Sequence, residues 1–124
     1  KSVTIMTTSK GVLRKIEALG PLYEKLSKKG VKIRMAAPVT KETASAIKDI
    51  LKHSDVRHIS KIDARFVIID SKELMFMLMD DKQVHPSYDI GVWVNTPYFA
   101  GALESLFSTA WKDLDPADKI VNKV

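Results

Sequence analysis

Two hydrophobic periodicities alternate along this chain, and that alternation constrains the fold more than any other feature of the sequence. Apolar residues alternate with other residues at Val3–Thr7, and a helical stripe of apolar residues follows over 12–26. The same succession occurs again, with a strand pattern at Val31–Ala37 and a helical pattern after Thr40. A period of two indicates a strand, and a spacing of three to four indicates a helix. This order predicts parallel strands connected by crossover helices. Gly20-Pro21 interrupts the first stripe in phase, so one kinked helix or two stacked helices are expected.

Strand patterns then follow one another without an intervening helix, at Val56–Ser60, Ala64–Asp70, Leu74–Met79 and Ile90–Val94. Thr96-Pro97 pairs a capping residue with a proline at the first helical position, which predicts a final helix. Consecutive strands predict antiparallel pairing. The predicted order is β-α-β-α-β-β-β-β-α, an α/β fold with a mixed β-sheet and helices on both faces.

A chain of 124 residues has the length of one ordinary domain. Residues 1–114 are predicted to form that domain, and residues 115–124 a polar C-terminal tail that frays or leads onward. The chain opens with Lys1, so we interpret it as part of a longer protein. It contains no cysteine, which excludes disulfides and thiolate metal sites and fits a reducing compartment.

Apolar segments long enough for a bilayer are missing from the sequence. The longest are Phe66–Ile69 and Leu74–Met79, far short of the roughly 20 residues that a transmembrane helix needs. Residues 1–6 also lack the long apolar region and cleavage site of a signal peptide. We therefore expect a cytoplasmic chain with no membrane partner.

The chain is basic, with 20 Lys and Arg against 15 Asp and Glu and a net charge of +5. Its densest basic run contains Lys25, Lys28, Lys29, Lys32 and Arg34. Lysines near a helix C-terminus are favoured by the helix dipole, so a solvated surface is the preferred interpretation. Because positive charge also attracts nucleic acid, a basic nucleic-acid-binding module is an alternative, although no recognition motif accompanies the charge.

The segment Asp63–Asp70 reads Asp-Ala-Arg-Phe-Val-Ile-Ile-Asp, and its spacing resembles the phospholipase D superfamily signature H-x-K-(x)4-D. Asp63 stands at the position of the nucleophilic histidine and Arg65 at that of the phosphate-binding lysine. Asp70 matches the closing aspartate and is predicted to begin a hairpin turn. The predicted order of elements also resembles one half of the phospholipase D fold.

In the superfamily that the segment resembles, the histidine of the signature forms a covalent phosphohistidine, and the lysine stabilises the phosphate charge. A carboxylate at Asp63 repels a phosphodiester instead of attacking it. Residues two apart on a strand share a face, so Asp63 and Arg65 are expected to form an ion pair. The family's Gly-Ser pair is replaced by Met77 and Leu78, which are expected to fill the pocket. We predict no catalytic residue and no enzyme, with a phosphodiesterase of this superfamily as an alternative.

The degenerate motif and the aromatic last helix together resemble the C-terminal regulatory domain of archaeal TrmB-type transcriptional regulators. The matching residues are Tyr98–Leu103, Leu106-Phe107 and Trp111, and the resemblance covers nearly the whole chain. It implies a phospholipase-D-like domain that senses a small molecule, commonly a sugar. It also implies that DNA is bound only by a winged-helix domain upstream of Lys1.

Candidate ligand-binding residues lie where strands end. Thr8–Lys10 follow the first strand and open a helix, where backbone N–H groups can hold an anion beyond a strand carboxyl end. Helix capping explains these residues equally well, and ordinary strand termination is the preferred explanation of Asn95. A structural salt bridge is as good an account of Asp63 and Arg65 as a ligand contact. The predicted ligand-binding set is Thr8, Ser9, Lys10, Asp63, Arg65 and Asn95.

Phe107 and Trp111 lie one turn apart on the last helix. Core packing is the preferred role, and a homodimer interface is the alternative, because single-motif members of the phospholipase D superfamily pair two halves. The three histidines, His53, His58 and His85, lack the spacing of a metal site. Neither a metal nor a cofactor is therefore predicted.

Overall fold

The first half of the chain forms the parallel part of the sheet. The computed structural model describes residues 1–61 and 64–123, with the backbone alone for residues 15–19 and 86. Its first elements are β1 (Ser2–Met6), α1 (Ser9–Lys28), β2 (Lys32–Ala37), α2 (Ala44–Ile50) and β3 (Asp55–His58). β1 pairs with β2 and β2 with β3, both in parallel, which confirms the prediction from the alternating periodicities.

The second half adds antiparallel strands on the other side of β1. Its elements are β4 (Phe66–Ile69), β5 (Glu73–Met77), β6 (Gly91–Asn95), α3 (Pro97–Trp111) and β7 (Asp115–Pro116). β4 pairs antiparallel with both β1 and β5, and β6 pairs antiparallel with β5. The sheet order is β6-β5-β4-β1-β2-β3-β7. The predicted mixed α/β fold is therefore confirmed.

Helix boundaries follow the capping residues of the sequence. Thr8 caps α1 and accepts a hydrogen bond from the Gly11 N–H. α1 is one helix that contains Pro21, which decides between the two arrangements expected at Gly20-Pro21. Thr96 caps α3, and Pro97 occupies its first turn, as predicted.

α2 begins later than predicted. Helix is observed from Ala44, because the residues from Thr40 form a turn held by side chains instead. The Thr43 hydroxyl accepts a hydrogen bond from the Thr40 N–H and donates one to the Pro38 carbonyl. Such bonds between threonine side chains and the backbone compete with helix formation.

Each face of the sheet has its own core. The first core lies under α1 and α2, and the second lies under α3. The two faces are thus both covered by helices, as a mixed sheet of this order requires. The buried residues of the second core are Ala36, Phe66, Ile68, Leu74, Ala100, Phe107 and Trp111.

The C-terminal segment is packed, so the prediction of a frayed tail over residues 115–124 is wrong for residues 115–121. β7 pairs antiparallel with β3, and a single 3₁₀ turn follows at Ala117–Lys119. Ala117 and Val121 belong to the first core, and Ile120 packs against it. Their spacing of three to four residues was the missed signal, because four of the ten residues in this segment are charged and the segment therefore reads as polar.

Asp70 begins a tight hairpin turn between β4 and β5, as predicted. Asp70 and Ser71 have φ angles of 53° and 55°, and the Lys72 N–H donates to the Ile69 carbonyl at 3.0 Å. The Asp70 carboxylate also accepts a hydrogen bond of 2.8 Å from the Ser2 N–H. The turn therefore holds the start of β1 as well as joining two strands.

Within residues 1–61 and 64–123, no helix is both long enough and apolar enough to cross a lipid bilayer.

Candidate functional site

Arg65 is a buried cation immediately before β4. Its guanidinium donates hydrogen bonds to both carboxylate oxygens of Asp89, each at 2.8 Å, and another to the Met79 carbonyl. The side chains of Arg65 and Asp89 are 7% and 6% exposed. Two parallel charge-assisted bonds fix the orientation of the guanidinium as well as its position.

Asp81 connects this ion pair to the start of α1. It accepts a hydrogen bond from the Thr8 hydroxyl, and its carboxylate lies 3.9 Å from Arg65 and 3.8 Å from Arg14. A carboxylate beside a helix N-terminus is also stabilised by the helix dipole. The loop between β5 and β6 is therefore held at two points, by Asp81 on α1 and by Asp89 on Arg65.

The electrostatics of this cluster keep Arg65 charged. The hydrogen bond with Asp89 raises the pKa of the Arg65 guanidinium above its ordinary value, and burial opposes that effect. The charges of Asp89, Asp81 and Asp80 raise the same pKa further. Because these carboxylates surround it, the guanidinium is largely neutralised before any ligand arrives.

A cavity of about 170 Å³ opens beside Arg65, at the carboxyl end of β1. Crevices at strand carboxyl ends are a common place for ligands in open α/β sheets. The cavity is smaller than most pockets for drug-sized molecules, so it fits only a small ligand or part of one. The described residues that line the cavity include neither a histidine nor a lysine. They are Thr8, Ala64, Arg65, Met77, Leu78, Met79 and Asp80.

The structure brings together two of the predicted ligand-binding residues, Thr8 and Arg65, at this cavity. Ser9 and Lys10 occupy the first turn of α1 but do not line it. Asp63 lies outside the described residues, and so does its predicted ion pair with Arg65. The described partners of Arg65 are aspartates of the loop between β5 and β6.

Asn95 does not belong to this site, so its predicted place in the same crevice is wrong. β6 runs antiparallel to β5, and Asn95 pairs in register with Glu73 at the opposite end of the sheet. A C-terminal strand end meets the end of β1 only if the two strands run parallel. Asp70 lies at that same far end, so it is separated from Arg65 by the length of β4.

Sequence reasoning missed Asp81 and Asp89. Both lie in a segment that reads as an ordinary polar loop, and nothing in its periodicity marks which acids become buried. The usable signal was indirect: a buried arginine needs carboxylate partners, and this loop offers several within a short stretch.

Phe107 and Trp111 are 4% and 7% exposed, and their rings stack at 5.3 Å between centroids. Arg34 lies over both rings, and Arg57 lies over Trp111 at 4.6 Å. This burial within one chain favours core packing over the homodimer-interface alternative, because a buried ring has little surface left for a second copy.

Arg34 of the basic run is half-buried, because its side chain packs against residues of α3. Its guanidinium lies 2.6 Å from the Glu104 carboxylate, which also accepts a hydrogen bond from Thr4. Lys28 pairs with Glu24 at 3.2 Å. The exposed lysines of the run are therefore the part of it that can meet an anionic partner. Within the part of the chain that the structure describes, no group of three or more acidic or histidine side chains could hold a metal ion.

Comparisons with known proteins find a similar fold but no similar sequence. No family model matches the chain, and no curated protein matches it. A solved structure of TrmBL2, an archaeal chromatin protein that shows a novel mode of DNA binding, superposes with a TM-score of 0.66 and 19% identity. The match covers 92% of this chain and 44% of the TrmBL2 chain. This chain therefore shares its fold with a part of TrmBL2.

Proposed function

We propose that this chain is a non-catalytic regulatory domain of a TrmB-type transcriptional regulator, which senses a small molecule in the cytoplasm and pairs with a second copy. DNA is contacted by a winged-helix domain elsewhere in such a protein. The fold shared with a part of TrmBL2 supports the regulator class. The degenerate motif Asp63-x-Arg65-(x)4-Asp70 supports the loss of phosphodiester chemistry.

The observation that carries this proposal is the state of Arg65. A cation that binds phosphate must offer its N–H groups to the substrate, but this guanidinium donates to Asp89 and Met79. Asp81 lies 3.9 Å away and adds negative charge. A phosphodiester entering the cavity would meet carboxylates and no available cation among the described lining residues.

The same lining suits an uncharged ligand that carries hydroxyl groups. Asp80 lines the cavity with an exposed carboxylate, which accepts one hydrogen bond from the Lys82 N–H and has lone pairs left for the hydroxyl groups of a ligand. Met77 and Leu78 offer apolar surface for the carbon skeleton of the ligand. A neutral sugar or a similar metabolite combines these two kinds of surface.

Ligand binding in this cavity has a direct route to a conformational response. The loop between β5 and β6 is anchored on Thr8 through Asp81 and on Arg65 through Asp89. A ligand between these anchors favours the loop arrangement that fits it and shifts the population of the domain. In a regulator, that shift is coupled to the DNA-binding domain.

A thermal-shift and calorimetry screen of neutral sugars and small metabolites tests ligand sensing. A ligand at about 100 times its dissociation constant stabilises the folded chain by roughly 2.7 kcal/mol. Ala64→Phe places a ring at the exposed edge of the cavity and should abolish that stabilisation. Ala110→Phe, at an exposed position of α3, is the matched control and should leave it unchanged. A screen without binders, or an undiminished shift in Ala64→Phe, contradicts ligand sensing at this cavity.

A phosphodiesterase of the phospholipase D superfamily is the enzymatic alternative. Assay of a generic phosphodiester distinguishes it, and turnover that Asp63→Ala abolishes would replace the regulatory proposal.

A nucleic-acid-binding module is favoured by one specific observation. Lys25, Lys29 and Lys32 are exposed where α1 ends and β2 begins, next to the Lys28–Glu24 pair. A gel shift of this chain at two salt concentrations separates this alternative from the regulatory domain. Tight binding that weakens steeply with salt would support it.

A further inference from the structure

The two edges of the sheet differ in how they are protected. β7 forms one edge and consists of two residues, Asp115 and Pro116, a charge and a proline that both discourage further pairing. β6 forms the other edge with five residues, Gly91–Asn95, which include neither a charge nor a proline. Among the described residues, no strand pairs with the outer side of β6.

The hydrogen bonds at the two ends of the β5–β6 ladder fix which backbone groups of β6 face outward. The Leu78 N–H donates to the Ile90 carbonyl at 3.0 Å, and the Thr96 N–H donates to the Lys72 carbonyl at 2.8 Å. Hydrogen-bonded positions alternate along an antiparallel strand. The even-numbered residues from 90 to 96 therefore bond to β5.

The odd-numbered residues, Gly91, Trp93 and Asn95, consequently direct their N–H and C=O groups toward the open edge. A second β6 strand placed antiparallel, with a two-fold axis at Trp93, sets Trp93 opposite its own copy. Gly91 of each copy then lies opposite Asn95 of the other. Every outward backbone group of the strand gains a partner in this register.

Side chains around this edge provide apolar surface on both faces of the sheet. Trp93 is 60% exposed beside Met75 on one face, and Val94 is exposed on the face of α3. Tyr98, in the first turn of α3, is 94% exposed. Among the described residues, eight of the eleven exposed large hydrophobic side chains lie between residues 78 and 99. Two of the eight, Leu78 and Met79, line the cavity, and the others lie in β6 and in the segments that flank it, where exposed apolar surface is typical of an interaction site.

The symmetry of β6 about Trp93 and its lack of charge favour a second copy of this chain as the occupant, against the repulsion expected elsewhere. The chain carries a net charge of +5, so two copies repel each other across most of their surface. The pairs formed across this axis, Trp93 with Trp93, Val92 with Val94 and Gly91 with Asn95, contain no charged residue. Like charges placed directly opposite would destabilise the pairing, and this register has none.

We infer that two copies of this chain pair through β6, antiparallel about a two-fold axis at Trp93, and join their sheets into one. The inference rests on the dimerisation part of the proposed function and names its interface. It moves that interface from Phe107 and Trp111, which are buried in the second core, to the open edge of the sheet at β6.

Analytical ultracentrifugation of this chain and its variants tests the pairing. Trp93→Lys places two like charges at the axis and should raise the dissociation constant of the dimer by roughly thirtyfold or more. Leu106→Lys, at a comparably exposed position of α3, is the matched control and should leave that constant unchanged. Circular dichroism of both variants verifies that the fold is retained.

A cysteine cross-link tests the register itself, because the wild-type chain has no cysteine. Directly opposed residues of a hydrogen-bonded antiparallel pair have Cα atoms about 5.5 Å apart, within disulfide range. Trp93→Cys should form a covalent dimer on mild oxidation, whereas Leu106→Cys should not.

The outcomes separate this inference from the proposal that it refines. A wild-type dimer that persists in Trp93→Lys and is not trapped by Trp93→Cys overturns pairing through β6 but leaves dimerisation standing. A wild-type chain that is monomeric at every concentration overturns both, and leaves the edge to an extended segment of another protein.

Discussion

At the scale of single residues, Tyr23 carries a hydroxyl that the first core does not satisfy. Its side chain is 3% exposed, and its Oη atom has no hydrogen-bond partner among the described residues. Burial raises the pKa of the Tyr23 hydroxyl from 10.0 to about 12. An unpaired buried hydroxyl costs stability that its aromatic ring alone would not.

We expect Tyr23→Phe to raise the free energy of unfolding at neutral pH by roughly 1 kcal/mol, because the ring is kept and the unpaired hydroxyl is removed. The pH dependence follows from the raised pKa. Above pH 10 the unfolded chain releases the Tyr23 proton while the folded chain retains it up to about pH 12. The folded state then binds more protons, so stability falls as the pH rises through this window.

Urea denaturation of wild type and Tyr23→Phe from pH 7 to pH 12 measures both effects. At roughly 1.4 kcal/mol per pKa unit, the wild type should lose about 2–3 kcal/mol more than the variant across the window. Tyr98→Phe, at an exposed position, is the control and should follow the wild type. Parallel curves for wild type and Tyr23→Phe would refute the account of this hydroxyl.

At the scale of elements, the two long helices each contain a glycine, and the space around these two glycines differs. In the first turn of α1, a Cβ atom at Gly11 would overlap the hydroxyl oxygen of Thr7, which lies between β1 and α1. Thr7 is fully buried, so that oxygen has little room to move. A Cβ atom at Gly101 of α3 has nothing within 4 Å. The same substitution therefore has opposite expected effects in the two helices.

Gly11→Ala should lower the free energy of unfolding by roughly 1–3 kcal/mol, the usual cost of overpacking. Gly101→Ala should raise it by up to about 1 kcal/mol, because alanine is the better helix former and meets no obstacle. Denaturant unfolding of both variants measures the difference. If both were stabilised alike, the close contact between Gly11 and Thr7 would not be a constraint on the fold.

Elements could be predicted from the sequence where a local rule decides them. Thr96-Pro97 marks the start of α3, Thr8 marks the start of α1, and the segments with a period of two are strands. Periodicity does not encode the direction of a strand in the sheet. Because β6 runs antiparallel to β5, Asn95 lies at the end of the sheet away from the cavity. Likewise, Asp89 reads as a loop residue, because only the folded chain brings it to Arg65.

At the scale of the whole molecule, the last residues complete the sheet and the first core. β7 covers the edge of β3, which would otherwise lie open, and Ala117 and Val121 are buried beside α2 and β3. A segment that the sequence marks as a polar tail is thus part of the folded unit. Its apolar residues are few, but they are placed at the spacing that one face of a turn requires.

Removal of residues 115–124 should therefore destabilise the domain rather than trim it. Burial of a valine side chain is worth about 1.5–3 kcal/mol, and the deletion also removes Ala117 and the pairing of β3, so a loss of about 3 kcal/mol or more is expected. Removal of residues 122–124 alone takes away the exposed Asn122 and Lys123 with the final residue, and should leave the midpoint of urea unfolding nearly unchanged. Because both truncations remove residues 122–124, the difference in stability between them reports on the packed residues 115–121 alone. Equal midpoints for the two truncations and the full chain would mean that these residues contribute nothing to the core.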